Sequence, residues 1–472
     1  MQTLVKPAES LIDFSDQPDF VATLCKQVSH LPYISDRIYH ASVSVDRQDL
    51  IAFLSNNTSH QQMFWRERDQ DRVLAGLGAA VEVITDSPSD AIAEVKGFSS
   101  IIYSQSEKAY QPFFFGGFSF SEADESDIWQ EFPSSYFVLP QICLSETQGE
   151  YHLHIHLPCN GEAEWNTAQN DLIRLLLALD WDRSIPEPSE EGLQFQKCSS
   201  IGKAQWHDLC DQVQSEIVHQ SIEKVVLARD VVVSLDGSMN VHHLLNRWLT
   251  VNSDTYSFML QRGDKYLLGC SPERLYKREG QQLSTESLAG TVGRGDDLAG
   301  DDLLAQKLIN GSQFQNEHGL VSRFIQQQLE GVCNTVDFEP TQVMKLEKVQ
   351  HLYQKVTAEL NCNIDDAELI NLLHPTPAVS GYPRNAALNF LSLNEPLARG
   401  WYSGGIGIAS YSDEREFVDF AVVIRSALLE NNRLHCFSGV GLVEGSDSES
   451  EWQELDSKIN SLLDVVYGTA QH

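Results

Sequence analysis

The chain has 472 residues, of which 42% are hydrophobic, so it is long enough for one large two-lobed unit or for two or three ordinary domains. Its formal net charge of −34, without any lysine- or arginine-rich run, argues against DNA or RNA as a partner, because phosphate binding needs concentrated positive charge. The nine cysteines show no CxxC spacing, and neither a secretion signal nor an apolar run of membrane-spanning length is present, so we expect a cytoplasmic protein with no membrane partner.

The first predicted region comprises residues 1–190. Short apolar runs separated by turns favour strands here, among them FFFGGFSF from Phe113, whereas residues 164–179 have the apolar spacing of a helix. Prolines and acidic residues interrupt every pattern between Asp182 and Ser200. We therefore place a boundary there and assign residues 191–472 to a second region.

The second region begins with a predicted helix at 203–220, followed by the alternating strand KVVLARDVVVSL from Lys224. An antiparallel meander is predicted after a further helix at 242–249. Two more predicted helices cover 301–310 and 317–329.

In the helix at 317–329, Glu317 lies on the same side as a row of apolar residues. A glutamate in the first turn is stabilised by the helix dipole, which is sufficient reason for its presence. A carboxylate directed toward a buried side is also a candidate functional group, and the pattern alone leaves both interpretations open.

The last third of the chain carries His351 in a predicted strand, then a segment rich in proline, then three predicted glycine-punctuated antiparallel strands. In the middle strand, Arg425 alternates onto one face with Asp419, Ala421 and Val423. Because burying an arginine is costly without an anion, we expect either a partner carboxylate within the protein or an anionic ligand.

The stretch GSDSESEWQELDSK, residues 445–458, predicts the start of a helix with one buried face. Glu451, Glu454 and Lys458 follow at i, i+3 and i+7, so they form one row on that helix. The row is typical of a solvated face with a Glu–Lys pair, and it is also compatible with two ligands of a divalent cation.

The glycine-rich stretches do not predict a nucleotide site. GGIGIAS and GVGLVEG both miss the G-x-G-x-x-G spacing, and neither lies at a clear strand-to-helix crossover. Walker loops, zinc spacings and the G-x-S-x-G elbow are also missing from the sequence. The glycines instead allow the backbone to approach a flat ligand closely.

Eight stretches taken in order resemble the chorismate-utilising enzymes, namely KVVLARD, SPERL, LAGTVGRG, NEHGLV, HPTPAVSGYP, FAVVIRSA, FSGVGLV and SESEWQELDSK. The resemblance is dense over residues 200–465 and loose over the first 180. It implies an α/β (α+β) fold, in which the N-terminal segment completes a two-lobed unit of large, mainly antiparallel sheets. Helices would lie outside, and the active site would lie in the cleft between the sheets.

The resemblance also implies an activity. Lys224 matches the lysine that activates water in isochorismate and salicylate synthases, and Glu273 matches the general acid. Ala289 stands where aminodeoxychorismate synthases carry a lysine, which argues against that covalent chemistry. We expect an isochorismate synthase that acts on chorismate for menaquinone or phylloquinone biosynthesis. A salicylate synthase, a siderophore-pathway isochorismate synthase and a non-catalytic acidic binding protein are the alternatives.

Further positions are assigned by the same resemblance. Glu317 and Glu454 match ligands of Mg²⁺, the expected cofactor, with Glu451 as a neighbouring ligand or a holder of metal-bound water. Arg425 and Tyr402 resemble the residues that hold the enolpyruvyl carboxylate. The remaining residues expected to line the substrate cavity are Gly290, Thr291, His351, Ala378, Gly439 and Lys458.

Overall fold

The structure is a computed structural model that describes residues 17–467 except 70, 105–110, 122–126, 160, 183, 186–194, 236–238, 347, 362–363 and 413–415. The predicted boundary between residues 190 and 191 lies outside the described residues, and the division into two regions stays a prediction. In the described part of the chain, no helix is both long enough and apolar enough to cross a membrane. Every described cysteine is a free thiol.

The N-terminal part is built mainly of strands, as its short apolar runs predict. Its strands are β1 (Ile38–Val45), β2 (Gln62–Arg66), β3 (Arg72–Thr85), β4 (Ile102–Ser104), β5 (Phe114–Phe118), β6 (Ser135–Thr147) and β7 (Glu150–Pro158). Its helices are α1 (Asp19–Ser29), α2 (Leu50–Ser55), α3 (Pro88–Ser100) and α4 (Glu162–Ala178), with a 3₁₀ turn at Asp127–Trp129.

The remainder of the chain contains fourteen further described strands and seven further described helices. The strands are β8 (Phe195–Ser199), β9 (Lys224–Leu235), β10 (Tyr256–Arg262), β11 (Lys265–Ser271), β12 (Arg274–Glu279), β13 (Gln282–Gly293), β14 (Cys333–Phe338), β15 (Gln342–Lys345), β16 (Val349–Leu360), β17 (Gly381–Tyr382), β18 (Gly405–Tyr411), β19 (Glu416–Val422), β20 (Ser426–Glu430) and β21 (Arg433–Leu442). The helices are α5 (Lys203–Val218), α6 (Val241–Val251), α7 (Leu298–Asn310), α8 (Ser312–Leu329), α9 (Asp366–Leu373), α10 (Arg384–Asn394) and α11 (Ser448–Tyr467).

The strands form two large antiparallel wings. The first wing runs in the order β2, β10, β11, β20, β21 and β9. The second wing runs in the order β5, β18, β19, β12, β13 and β16. Strands β3 and β6 join the wings, because β3 pairs with β2 and β6 pairs with both β3 and β5. The predicted architecture of mainly antiparallel sheets with outer helices is confirmed, and strands of the N-terminal part belong to both wings.

The helices cover the wings through apolar faces. In α11, Leu455, Ile459, Leu462, Leu463 and Val466 are all buried, as their spacing predicts. In α8 the buried face contains Leu320, Val321, Phe324, Ile325 and Leu329. The space between the wings is lined by Glu317 of α8 and by Glu451 and Glu454 of α11.

The chain passes between the wings at two neighbouring short segments. The first lies between β11 and β12 and contains Glu273, and the second lies between β19 and β20 and contains Arg425. The backbone N–H of Val422 donates to the carbonyl of Glu273 at 3.0 Å. The backbone N–H of Cys270 donates to the carbonyl of Arg425, also at 3.0 Å. These hydrogen bonds fix the two segments to each other.

The prediction of one continuous strand through Arg425 is wrong. Strand β19 ends at Val422, and Arg425 has a φ of 51°, in the left-handed region that interrupts strand alternation. Arg425 therefore does not share a strand face with Asp419 and Ala421. The last part of the chain forms four strands, β18 to β21, where three were predicted.

Candidate active site

A cavity lies between the two wings and is closed on its remaining sides by α8 and the start of α11. Its empty space of about 910 Å³, including its open mouth, suits a small molecule. Every residue predicted for the site lines this cavity: Lys224, Glu273, Gly290, Thr291, Glu317, His351, Ala378, Tyr402, Arg425, Gly439, Glu451, Glu454 and Lys458. The geometry brings them together from several helices and strands of both wings, while their individual roles stay predictions.

Lys224 lies at the first position of β9, where the strand enters the cavity wall. Its side chain is only 1% exposed, and its Nζ atom lies 2.9 Å from Oε1 of Glu317 on α8. A Cβ atom on Gly441, in the neighbouring strand β21, would come within 2.7 Å of both the Glu317 carboxylate and the Lys224 side chain. Only glycine leaves room for this ion pair, because a Cβ at that distance forces one partner to move.

Glu273 is the most completely enclosed carboxyl of the cavity. It is 4% exposed, and burial raises its pKa to about 8, with a further increase from the negative charge of Glu286. The positive charges of Lys224, Arg68 and Lys458 act in the opposite direction but do not offset burial. Glu273 is therefore protonated at neutral pH, as a general acid must be.

Lys458 and Glu454 form a second lysine–glutamate pair, on α11. The Lys458 Nζ atom lies 2.7 Å from Oε1 of Glu454, and it also donates to the carbonyl oxygen of Gly439 at 2.8 Å. The Glu–Lys pair four residues apart was predicted from the spacing. It does not lie on a fully solvated face, since the two side chains are only 24% and 14% exposed.

Three carboxylates, those of Glu317, Glu451 and Glu454, lie on one side of the cavity. Burial and the negative charges of Glu454 and Glu317 raise the pKa of Glu451 to about 8, so these surroundings favour its protonated form. Among the described residues, no three His, Cys, Asp or Glu side chains already stand in a metal-holding arrangement. Glu317 and Glu454 instead contact lysines. The oxygen donors suit a hard cation such as Mg²⁺, provided these glutamates leave their lysine partners.

Arg425 presents a guanidinium to the cavity without a carboxylate partner. Within the described part of the chain it forms no ion pair, and its Nη1 donates to the Ser461 hydroxyl at 3.3 Å. Burial lowers the pKa of Arg425, and the nearby negative charge of Glu454 offsets this effect only in part. The expectation of a partner carboxylate within the protein is therefore not met, and an anionic ligand remains the consistent explanation.

Two uncharged polar side chains lie near Arg425. Tyr402 is buried, its ring stacks on Phe437 at 5.2 Å, and a Cβ atom on Gly439 would come within 3.0 Å of its hydroxyl. His351, on β16, has its Nδ1 atom 3.1 Å from the Thr291 hydroxyl, and burial and the charge of Arg425 lower the histidine pKa to about 3. Its Nε2 atom has no hydrogen-bond partner among the described residues. His351 is therefore a neutral group that can bind a ligand.

Gly290 shapes the floor of the cavity through its backbone. It has a φ of 76° and lies at a β-bulge, where the pairing of β13 with β16 shifts between Ala289 and Thr291. The bulge places Thr291 opposite His351. Ala378 completes the lining, and its backbone N–H is held by the Thr376 hydroxyl at 3.3 Å.

Sequence reasoning missed three residues that support the site. Gly441 and Gly439 both belong to the quoted FSGVGLV stretch, but only Gly439 was assigned to the site. Arg68 and Glu286 form an ion pair beside Glu273 and are separated by 218 residues in the chain. No short-range pattern signals such a contact.

Comparison with known proteins agrees with this architecture. The family model described as chorismate binding enzyme matches residues 26–467. The chain therefore belongs to the chorismate binding enzymes.

Several members with assigned activities align over most of the chain. Isochorismate synthase MenF of Bacillus subtilis is 28% identical over 94% of this chain and 98% of its own length. Its Escherichia coli counterpart is 29% identical over 89% of this chain and 91% of its own. The salicylate biosynthesis isochorismate synthase of Pseudomonas aeruginosa is 32% identical over 74% of this chain and 73% of its own.

Solved structures give the same result for the fold. The structure of MenF, the menaquinone-specific isochorismate synthase from E. coli, superposes with a TM-score of 0.82 at 27% identity, covering 95% of this chain and 99% of that one. Anthranilate synthase component I from Streptococcus pneumoniae superposes with a TM-score of 0.65 at 19% identity, covering 92% and 93%. The second match, at this lower identity, shows the shared fold alone.

Proposed function

We propose that this chain is an isochorismate synthase, an isomerase that converts chorismate to isochorismate. Water adds at C2 of the ring while the hydroxyl at C4 leaves, so one water enters and one departs. The observation that carries the proposal is that a buried lysine, Lys224, and a buried carboxyl group, that of Glu273, line one cavity, where they can serve as base and acid. The similarity to several isochorismate synthases over most of the chain supports the same activity.

Glu273 is the proposed general acid. Because its pKa is raised to about 8, it carries a proton at neutral pH and can give that proton to the departing C4 hydroxyl. The carboxylate that remains is stabilised by the facing charges of Lys224 and Lys458. A buried acid of this kind donates without competition from bulk water.

Lys224 is the proposed base, which takes a proton from the attacking water. A lysine that is paired with a carboxylate holds its proton, so the ion pair with Glu317 at 2.9 Å is incompatible with that role. Turnover on this proposal requires Glu317 to move away from Lys224. Lys224 lines the cavity, so its Nζ atom would then be available to the attacking water.

The substrate carries two carboxylates, and the cavity offers separate groups for them. Arg425 and Tyr402 are proposed to hold the enolpyruvyl carboxylate, because a planar guanidinium without an internal carboxylate partner can bind a carboxylate through two hydrogen bonds. Neutral His351, with its open Nε2 atom, and Thr291 can bind uncharged oxygens of the substrate. Gly290, Ala378 and Gly439 allow the flat ring to approach the backbone.

Magnesium is the proposed cofactor, with Glu317 and Glu454 as ligands and Glu451 as a third ligand or a support. Besides burial, the negative charges of Glu454 and Glu317 raise the pKa of Glu451, which fits a place for positive charge. Bound Mg²⁺ would neutralise the carboxylates and polarise the ring carboxylate of the substrate. Glu454→Ala is expected to weaken magnesium binding strongly, so that more MgCl₂ is needed for half-maximal activity. An unchanged magnesium titration of activity would contradict the assignment of Glu454.

We further propose a role in menaquinone biosynthesis and a cytoplasmic location. The superposition on a structure described as a menaquinone-specific isochorismate synthase supports the pathway, with phylloquinone supply as the equivalent role. The similarity to a salicylate biosynthesis isochorismate synthase supports salicylate supply as a second candidate role. Both roles require the same reaction at this site.

The decisive experiment is incubation of the purified chain with chorismate and MgCl₂, followed by chromatographic separation of the products. Isochorismate without salicylate or pyruvate is expected, whereas stoichiometric pyruvate release would identify a salicylate synthase. Lys224→Ala should abolish turnover while chorismate still binds by calorimetry. Near-normal turnover in that variant would reject Lys224 as the base, and failure of both forms to bind chorismate would reject the function itself.

A further inference from the structure

The backbone on both sides of Glu273 is held by two side chains from distant parts of the sequence. Arg68 donates from Nη1 to the carbonyl oxygen of Pro272 at 2.8 Å. Glu286 accepts, at Oε1, the backbone N–H of Arg274 at 2.7 Å. The residues immediately before and after Glu273 are thus each fixed by one charge-assisted hydrogen bond, which is stronger than a bond between neutral groups.

The same two side chains bind each other. Both Nη atoms of Arg68 donate to the two carboxylate oxygens of Glu286, each at 2.7 Å, in the forked geometry that suits a guanidinium and a carboxylate. Their side chains are only 9% and 1% exposed. Removal of one partner would leave the other as a buried unpaired charge. Each residue therefore depends on the other for its position.

Arg68 reaches this position from the turn between β2 and β3, in the N-terminal part of the chain. The turn is anchored on both sides of Arg68, because Glu67 pairs with Arg72 at 2.6 Å and Asp69 pairs with Arg274 at 2.8 Å. The N-terminal part therefore supplies a residue to the surroundings of Glu273, in addition to its strands.

We propose that Arg68 and Glu286 are a positioning pair for Glu273, holding its backbone so that the carboxyl faces the substrate while the pair as a whole adds little net charge. Neither residue lines the cavity, so the pair acts through Glu273 and not on the substrate. The inference rests on the proposed function, because it assumes that Glu273 is the acid.

Four charged groups act on Glu273 from the surrounding elements. Glu286 on β13 opposes ionisation of Glu273, while Lys224 on β9, Arg68 in the turn and Lys458 on α11 favour it. The pair thus contributes one charge of each sign. Removing either member alone unbalances this contribution in a predictable direction.

The test compares Arg68→Gln with Glu286→Gln in the full-length enzyme, through pH profiles of kcat with chorismate and saturating MgCl₂. Loss of the positive charge should move the alkaline limb, where Glu273 loses its proton, to higher pH. Loss of the negative charge should move it to lower pH. Opposite shifts identify an electrostatic action on the acid, since general loss of structure would not produce them.

Both variants should also lose turnover because the acid is misplaced. We expect kcat at the optimum to fall about 10- to 100-fold with KM for chorismate changed less than about threefold, as for a group displaced by a fraction of an ångström. Arg68→Lys retains the charge without the fork, so it should lower kcat but leave the alkaline limb in place. This variant also provides a test if either glutamine variant fails to fold.

Arg278→Gln is the matched control, because Arg278 pairs with Asp366 at 3.1 Å with side chains 8% and 0% exposed, outside the cavity lining. It should lower thermal stability and leave the alkaline limb unchanged. Shifts of the same sign in the Arg68 and Glu286 variants, or unaltered kcat and pH profile in both, would overturn the positioning pair. Full activity of Glu273→Gln would instead show that the proposed acid, and not the pair, is wrong.

Discussion

The two segments that cross between the wings lie side by side, yet they present opposite chemistry to the cavity. In the first, Glu273 is enclosed, and the surrounding backbone is held by Arg68, Glu286 and the N–H of Val422. In the second, Arg425 adopts a left-handed backbone conformation, and its guanidinium is bound by one hydroxyl at 3.3 Å. The two crossings therefore differ in their contacts: the backbone around the acid is held from several sides, whereas the guanidinium of the arginine has one weak contact.

This contrast separates catalysis from binding. A carboxyl whose pKa must stay high is best served by a rigid, dry position, and the first crossing supplies it. A cation that must hold a substrate carboxylate is best left without an internal partner, because each internal contact would have to be broken on binding. Substitutions in the two crossings should therefore affect different kinetic constants.

Among substitutions in the two crossings, the largest effect is expected for Glu273→Gln. The amide has nearly the same shape but cannot donate a proton to the leaving hydroxyl, so kcat should fall by about 10²- to 10⁴-fold. KM for chorismate should change little, because the proposed carboxylate-binding groups are untouched. Steady-state kinetics measure both constants, and a comparable rise in KM without loss of kcat would make Glu273 a binding residue.

The same variant should be more stable than the parent at high pH. Glu273 has a folded pKa of about 8 and an ordinary value of 4.5, so the folded protein binds an extra proton between these values and loses stability as pH rises through them. Glutamine does not titrate, so the gain from Glu273→Gln should grow with pH to roughly 3 kcal/mol at pH 7.

Urea unfolding gives the free energy of unfolding of variant and parent at pH 5 and at pH 7. The gain is the change in the difference between these two free energies from one pH to the other. Fixed packing effects of the glutamine cancel in such a comparison, because they are the same at both pH values. A difference that stays constant with pH would show that Glu273 is ionised in the folded protein.

Much of the architecture followed from local patterns. The apolar spacing from Leu455 to Val466 predicts α11, and the alternation after Lys224 predicts β9, because burial of one face imposes the period of each element. The order of the family motifs predicted which residues would meet, and all of them line one cavity. These predictions depend on short-range periodicity or on resemblance, and both can be read from sequence.

What could not be predicted depends on contacts between distant residues. The alternation around Arg425 continues through the crossing in the sequence, but the backbone turns at Arg425, whose φ is 51° and whose carbonyl accepts the N–H of Cys270 from the other crossing. Likewise, nothing in the sequence indicates that Glu317 on α8 contacts Lys224 on β9. Such contacts arise only when the two wings assemble.

The smallest effect is expected for Arg425→Lys, which keeps the charge and removes the fork. An ammonium cannot reproduce two parallel hydrogen bonds to a carboxylate, and the loss of about 1 to 2 kcal/mol corresponds to roughly a 5- to 30-fold higher KM with kcat largely retained. Arg278→Lys, at a buried arginine with its own carboxylate partners, should leave KM unchanged. If Arg425→Lys lowers kcat and leaves KM alone, the second crossing also acts in the transition state, and the division between a catalytic and a binding crossing no longer holds.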